Sequence, residues 1–438
     1  MVPRGAVRLG RVPGSNPIEL DIALRPRDPV ALAAFAAAVS TPGSPQFRRY
    51  LRPATFGAVF GATLATVRAT TAALESLGLH VDSVSSNHLI IKVSSTVTIT
   101  ERAYATMLER YRLPNGALVY ANSSPPLVSA TVAGGIQAIV GLSDLARSHP
   151  EGLARLNARG ALGLGAPSGG SGATGGPQPC GAVRSAASAQ GGYTADRLAS
   201  AYRFSGLYAA GDLGAGETVA VYELEPDAPT DIAAYQACYK TSAKVSYIKV
   251  EAGSGSGAGT GEAALDIENV IGLAPKAAID VYQAPNNTTG PLDLYDAIVT
   301  QDLAEVITTS WGICEAQDGG RAFASAEANL FEEAAAQGQT VVAASGDDGS
   351  TDCTDASNNP IRTLAVDDPG SQPYVTSVGG TTLRALGPPP TETVWNDRSG
   401  ASGGGISSNW AMPVYQSQVA PDVHVIKAYS SPKPCGAP

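Results

Sequence analysis

ETVAVYEL, residues 217–224, is the first of five apolar segments that recur through the second half of the chain. The other four are VSYIKV (245–250), AAIDVYQA (277–284), EVITTSWG (305–312) and TVVAASG (340–346). Helical patterns alternate with them near 229–240, 262–272, 291–303 and 321–338. Strands that are apolar at nearly every position and alternate with helices predict an α/β domain, with a parallel sheet covered by helices on both faces. Functional residues in such a sheet lie at the carboxyl ends of the strands.

Residues 1–145 have a different pattern, which predicts a separate α+β unit. The sequence predicts strands in NPIELDIAL (16–24), HLIIKVSST (88–96) and GALVYANS (116–123), and helices over 28–40, 63–79 and 98–113. Residues 146–192 are rich in Gly, Pro, Ala and Ser, so we expect a flexible linker that is open to proteolysis. The second domain then occupies residues 193–438.

The composition argues against several kinds of partner. The chain has 39 acidic and 29 basic residues and a net charge of −10, so we expect it to bind neither nucleic acid nor an anionic membrane surface. No apolar run reaches the roughly 20 residues needed to cross a bilayer. The N-terminus lacks the apolar core of a signal peptide, so either the protein is not secreted or the sequence begins inside a longer precursor. We expect a monomer.

The cysteine pattern argues against a zinc site. Five cysteines are present without a CxxC pair, and the four histidines show no ligand spacing. Two disulfides and one remaining thiol, formed in an oxidising compartment, are the simplest interpretation. The alternative is a set of buried free thiols in a cytosolic protein.

GTGEAALDIENVIGLAP (259–275) carries two carboxylates four residues apart, Glu262 and Asp266. This spacing puts both on one face of a helix, near its N-terminus, where they share protons and titrate as a pair. A carboxylate is a weak base at neutral pH, so the pair suits general-base chemistry in acid. The alternative is an acidic helix face exposed to solvent.

Three more candidates follow predicted strands. Asp347, in SGDDG (345–349), could donate a hydrogen bond to a developing oxyanion if it is protonated, or it could simply cap a turn. Trp311 ends the strand EVITTSWG and could equally be a core residue. Glu223 ends the strand VAVYEL, where most acidic residues are merely exposed. The shared position of these residues at strand ends is a stronger signal than any one of them.

Taken in order, these motifs resemble the sedolisin family of serine-carboxyl peptidases. The similar blocks are VAVYEL, GEAALDIENVIGLAP, TTSWG, VVAASGDDG, YVTSVGGTTL and SGGGISSNWAMPVYQ. The segment STPGSPQFRRYLRPATFGAVFG and the elements after it resemble the pro-kumamolisin activation domain, a ferredoxin-like prodomain that is removed on maturation. The resemblance covers residues 16–423. It implies a subtilisin-like sheet and a secreted endopeptidase that cleaves proteins or peptides in acid, with its own prodomain as a partner.

The resemblance also implies a role for each matching residue. Glu262 matches the general base, Asp266 the acid that orients it, and Asp347 the acid that stabilises the oxyanion. Glu223 and Trp311 match partners of the base. Residues Ser310, Trp311 and Gly312 match the rim that binds the substrate backbone.

The chain departs from the family pattern near its end. The nucleophilic serine of the family lies in a GTS motif downstream of the block that reads PVYQ (413–416) here, and no GTS triplet occurs in this chain. Thr381, in GGTTL, matches a different block and is not a substitute. Similarity stops near Val423 and His424, which suggests a truncation or a change of reading frame, and the family's calcium ligands are missing with the lost segment. We therefore expect weak activity or none, or, as an alternative, a non-catalytic relative that binds peptides or inhibits through its prodomain.

The predicted positions of the cysteines suggest their pairing. Cys314 and Cys353 lie in loops after neighbouring strands beside the proposed cleft, so we predict that they form a disulfide. Cys180 and Cys238 are candidates for a second bridge, and Cys435 should be unpaired. Mass spectrometry of a non-reduced digest tests this prediction, and free thiols at Cys314 and Cys353 would contradict it.

Overall fold

The computed structural model describes residues 2–151, 174–190, 192–255, 260–357, 359–387, 389–397 and 400–420. Its N-terminal elements are β1 (Val7–Arg11), β2 (Pro17–Leu24), α1 (Pro29–Ser40), α2 (Pro53–Val59), α3 (Leu64–Ser76), β3 (His80–Val84), β4 (Ile90–Thr96), α4 (Val97–Tyr104), β5 (Leu108–Arg112), β6 (Leu118–Asn122), α5 (Ala130–Ala133) and β7 (Ile136–Val140). Four strands form an antiparallel sheet in the order β3-β4-β2-β7, and β1, β5 and β6 form a second sheet. The order of the first sheet and its crossing helices are those of the ferredoxin-like fold.

The remaining elements belong to a larger α/β unit. They are β8 (His149–Pro150), α6 (Gly181–Gln190), α7 (Ala195–Ala201), α8 (Ser205–Ala210), β9 (Thr218–Glu223), α9 (Pro229–Tyr239), β10 (Val245–Lys249), α10 (Thr260–Leu273), β11 (Ala278–Gln283), α11 (Gly290–Gln301), β12 (Val306–Thr309), β13 (Trp311–Cys314), α12 (Arg321–Gln337), β14 (Thr340–Ala344), β15 (Asp367–Asp368), β16 (Val375–Val378), β17 (Thr381–Ala385), β18 (Thr391–Val394), β19 (Asn396–Asp397), β20 (Gly400–Ala401) and α13 (Val414–Ser417). Among the described residues no helix is both long and apolar enough to cross a membrane.

Six parallel strands form the central sheet of the α/β unit, in the order β10-β11-β9-β12-β14-β16. Successive residues of β9 show why the strands are apolar at almost every position. Val221 packs in a cluster with Ile232 of α9 and Ile267 of α10, whereas Tyr222 packs with residues of α11 and α12 on the other face. Because helices cover both faces, the predicted subtilisin-like architecture is confirmed.

Two sequence predictions need correction. The helix predicted over 98–113 ends at Tyr104, because Ala105 adopts a left-handed conformation with φ 50° and ψ 41°, and Leu108–Arg112 is a strand. The linker predicted over 146–192 is not unstructured throughout, since its ends contain strand β8 and helix α6. Its residues 152–173 and 191 lie outside the described residues.

The two units share one apolar core. Leu32 of α1 and Phe56 of α2 belong to the same buried cluster as Tyr295 of α11 and Phe331 of α12. Two disulfides connect elements of the α/β unit, Cys180–Cys238 and Cys314–Cys353, each with a Cα–Cα distance of 5.0 Å. Cys435 lies outside the described residues.

Polar contacts cross the same interface. Asn87 is fully buried, and its side-chain amide donates to Asp296 Oδ1 at 3.0 Å and to Glu333 Oε2 at 2.8 Å. Lys92 Nζ lies 2.6 Å from Asp293 Oδ1. The Asn87 amide therefore donates to two buried carboxyl groups of the α/β unit.

Asn87→Ala should destabilise the protein by about 1–3 kcal/mol, because it leaves the carboxyls of Asp296 and Glu333 without this donor. Urea unfolding measures the effect. Asn269→Ala is the matched control, since Asn269 is exposed and donates only within its own helix, to the Leu265 carbonyl. Equal unfolding midpoints for the two variants would show that the buried amide does not stabilise the interface.

Candidate active site

Helix α10 places Glu262 and Asp266 on one face, as their spacing predicts. Glu262 is 3% exposed, so the alternative of a solvent-exposed acidic face is wrong for this residue. The Ser310 hydroxyl donates to Asp266 Oδ1 at 2.9 Å and also hydrogen-bonds the Glu262 side chain. Ser310 sits between β12 and β13, where the chain leaves the central sheet. The two acids and this hydroxyl therefore form one connected group.

Burial controls the protonation of the two acids. Burial, with the charge of Asp266 next in importance, raises the pKa of Glu262 to about 8, although Ser310 opposes the shift. Burial also raises the pKa of Asp266 to about 6, again against the effect of Ser310. Protons are thus shared within the pair at a pH where exposed carboxyls would be ionised.

A third acid, Glu223, lies near Asp266 and Glu262. It is fully buried at the end of β9, and Trp311 Nε1 donates to its Oε2 at 2.9 Å. Burial, followed by the charge of Asp266, raises the pKa of Glu223 well above its usual value. The exposed position considered for Glu223 is therefore wrong. Trp311 is a core residue, as one alternative held, and it also binds this acid.

Asp347 approaches the pair from the end of β14. Its charge contributes to the raised pKa of Glu262, which brings the two residues into one electrostatic group. The loop is held by backbone hydrogen bonds, from Ala401 N to the Asp347 carbonyl at 2.7 Å and from Gly403 N to the Gly346 carbonyl at 2.8 Å. Gly346 has φ +93°, a conformation that L side chains rarely adopt. Asp347 therefore lies near enough to Glu262 for its charge to raise the pKa of that residue.

The chain's own residues 149–151 occupy the cleft beside these acids. Strand β8 pairs antiparallel with β13, so that Trp311 faces Pro150 and Gly312 faces His149. The Glu151 amide donates to the Ser310 carbonyl at 2.9 Å. An extended segment added to a free strand edge is a common mode of peptide recognition. The predicted rim Ser310–Gly312 therefore holds a peptide backbone in this structure.

Three further acids near the cleft, Glu151, Asp352 and Asp367, were not predicted from the sequence. No local pattern marks them, because their proximity depends on the docked segment and on the pairing of β13 with β15. Thr381 begins the hairpin β17–β18, and its hydroxyl hydrogen-bonds Glu392. The residues after position 420, including Val423 and His424, lie outside the described chain. No group of three or more His, Cys, Asp or Glu in the described ranges could hold a metal ion.

Two family models match this chain. Residues 4–145 match the pro-kumamolisin activation domain, and residues 247–424 match the subtilase family. The first match coincides with the ferredoxin-like unit. The second begins in β10 and includes every acid of the site except Glu223 and Glu151.

Three curated peptidases are each 30% identical to the chain. Xanthomonalisin of Xanthomonas sp. aligns with 92% of this chain, sedolisin of Pseudomonas sp. with 95% and kumamolisin of Bacillus sp. with 94%. The chain covers 52% of xanthomonalisin, 70% of sedolisin and 71% of kumamolisin, so it spans only part of the length of each relative. An alignment of this extent, which includes both the prodomain and the buried acids, shows that the chain belongs to the sedolisin family of serine-carboxyl peptidases.

Proposed function

We propose that this protein is the precursor of a serine-type endopeptidase that cleaves proteins or peptides in acid. One observation carries the proposal: an extended segment is bound along Ser310–Gly312, directly beside Glu262, Asp266 and Asp347. A peptide backbone and a set of proton-sharing acids at one cleft are what peptide hydrolysis requires.

The roles proposed for the acids are those of the matching residues in the sedolisin family. Glu262 is the general base, and its carboxyl hydrogen-bonds the Ser310 hydroxyl. Asp266 orients it through the shared hydroxyl. Asp347, when protonated, donates to the oxyanion that develops on the peptide carbonyl. None of the residues assigned above supplies the nucleophilic serine. We propose that a GTS motif provides it.

The docked segment keeps the site inactive. It covers the substrate-binding strand, and the Glu151 carboxyl adds to the effects of burial, Asp266 and Asp347 that raise the pKa of Glu262. A protonated Glu262 cannot accept a proton from a nucleophile. Removal of the segment would expose the acids to water and lower this pKa, so cleavage near the segment would both open the cleft and restore the base.

Secretion is part of the proposal, because two disulfides are typical of oxidising compartments. A monomeric state remains a prediction from the sequence, as does the loss of the family's calcium ligands. The second candidate function is a non-catalytic peptide-binding or inhibitory relative. It is favoured by the docked segment, which the cleft holds although no described residue has been assigned as the nucleophile.

The catalytic proposal is tested first by reading the coding DNA across and beyond codon 423 in all frames. A GTS motif in any frame supports the peptidase, and its absence from every frame would contradict it in favour of the non-catalytic relative.

In a protein that carries the motif, Asp347→Asn should lower kcat by about 10²–10³, because an oxyanion donor is lost. Glu262→Gln should remove activity to a similar degree, measured as hydrolysis of an unfolded protein at acidic pH.

Glu75→Gln is the matched control for both variants, since Glu75 is exposed on α3 in the prodomain. It should leave hydrolysis unchanged after maturation. Full activity of Glu262→Gln would exclude this residue as the base.

The raised pKa values also predict how stability depends on pH. The folded state holds protons on Glu262 and Asp266 that the unfolded state releases, so their stabilising contribution is complete below about pH 4 and is lost as the pH rises through about 6 to about 8. Glu262→Gln cannot ionise. We expect it to raise the melting temperature at pH 8 and to change it little at pH 4. A melting temperature below that of the wild type at pH 8 would contradict the assignment.

A further inference from the structure

A buried acidic pocket lies beside the docked segment and has no role in the chemistry proposed above. Gly312 of β13 leaves room for Asp367, because a Cβ at Gly312 would overlap the Asp367 carboxyl. In the same way Gly346 leaves room for Asp352. The carboxyls of Asp352 and Asp367 lie close enough for each to affect the pKa of the other. The pocket therefore lies between the substrate-binding strand and the loop that carries Asp347.

The fold fixes the two carboxyls in place. Strand β15 pairs with β13 so that Asp367 faces Cys314. Cys314 is also bonded to Cys353, the residue after Asp352. The disulfide and the strand pairing thus bring Asp352 and Asp367 to the same point of β13, independently of any ligand.

Glu151 of the docked segment lies near these two carboxyls. It is 8% exposed, and its charge has the largest effect, after burial, on both Asp352 and Asp367. Its Oε1 lies 3.2 Å from His149 Nδ1. Asp367 is 2% exposed, and neither of its oxygens meets a donor group among the described residues. Three carboxyls that meet in this way need shared protons to bind one another.

We propose that Asp352 and Asp367 form a specificity pocket for the side chain of a glutamate in a peptide bound along Ser310–Gly312. The inference rests on the proposed function and names the substrate class of that site, namely peptides with glutamate at the position of Glu151. An ionised aspartate pair would instead suit Lys or Arg. The chain's own occupant is a glutamate, which an acidic pocket accepts only when protons are shared.

Such recognition depends on pH. Burial, and then the charge of Glu151, raises the pKa of Asp352 to about 7 and that of Asp367 well above its usual value. Burial lowers the pKa of His149, but Glu151, Asp352 and Asp348 together raise it more. The charged groups around the pocket come from the docked segment (His149, Glu151), the loop after β14 (Asp347, Asp348, Asp352), strand β15 (Asp367, Asp368) and helix α10 (Glu262). Since the docked state holds extra protons, docking should strengthen as the pH falls below about 7 and weaken above it.

Hydrogen exchange of the full chain tests the pocket without requiring hydrolysis. Protection of the Glu151 amide, corrected for intrinsic exchange rates, measures docking of the segment on Ser310. In the wild type it should be at least about tenfold higher at pH 5 than at pH 8, the change expected from a pKa shift of one unit. Glu151→Gln should stay protected at both values, because an uncharged amide can donate to ionised carboxyls.

Two further variants separate glutamate recognition from the alternatives. Glu151→Lys should be less protected than the wild type at pH 5, and protection equal to or above that of the wild type would overturn the proposal in favour of a pocket for cations. Asp367→Asn, which removes a charge at nearly constant shape, should keep the segment docked at pH 8. Equal protection of the wild type and Glu151→Ala at both pH values would also overturn the proposal. Glu75→Gln serves as the control and should match the wild type.

The two proposals can fail separately. A protein that shows the expected protection pattern but hydrolyses nothing would keep the glutamate pocket and lose the peptidase. A protein that hydrolyses peptides, but whose docking does not depend on residue 151, would keep the peptidase and lose the glutamate pocket.

Discussion

Ser310 contacts both the proposed catalytic acids and the docked segment. Its hydroxyl binds the acids of α10, and its carbonyl accepts the amide of the docked segment. Both contacts depend on the position of Ser310, at the carboxyl end of β12, where the chain turns out of the parallel sheet into β13. Any shift of this strand end would move the peptide and the base together. The proposed base therefore stays in register with the peptide backbone that is bound along Ser310–Gly312.

Burial of acids is the common feature of the cleft and of the interface between the two units. Buried carboxyls that lack basic partners are costly when they are ionised, and protons remove that cost. Glu223, Glu262 and Asp352 all have raised pKa values, mainly because they are buried. A site of this kind is at its most stable in acid, where the proposed activity also lies. The docked segment brings one more carboxyl, Glu151, to the same cleft.

The sequence predicted those features of the site that depend on local periodicity. The four-residue spacing of Glu262 and Asp266 fixes their common helix face, and Asp28 and Pro29 mark the start of α1, where the Asp28 side chain accepts the Ala31 amide. The strand Leu108–Arg112 was missed because its helical spacing is overridden by pairing with β1. The acidic pocket was missed for a similar reason. Asp352 and Asp367 meet only through a disulfide and a strand pair, and neither contact leaves a periodic signal.

Shared protons explain why Glu151 can lie beside several buried acids without disrupting the precursor. The Ser310 carbonyl accepts the Glu151 amide, and the charge of Glu151 acts on Asp352 and Asp367. A lysine there would bind most tightly when the aspartates are ionised, so its binding would weaken in acid. A glutamate binds through shared protons, and its binding weakens as the pH rises and those protons are released. Docking is then coupled to the same proton uptake that governs Glu262, so the state of the base and the occupancy of the cleft respond to pH together.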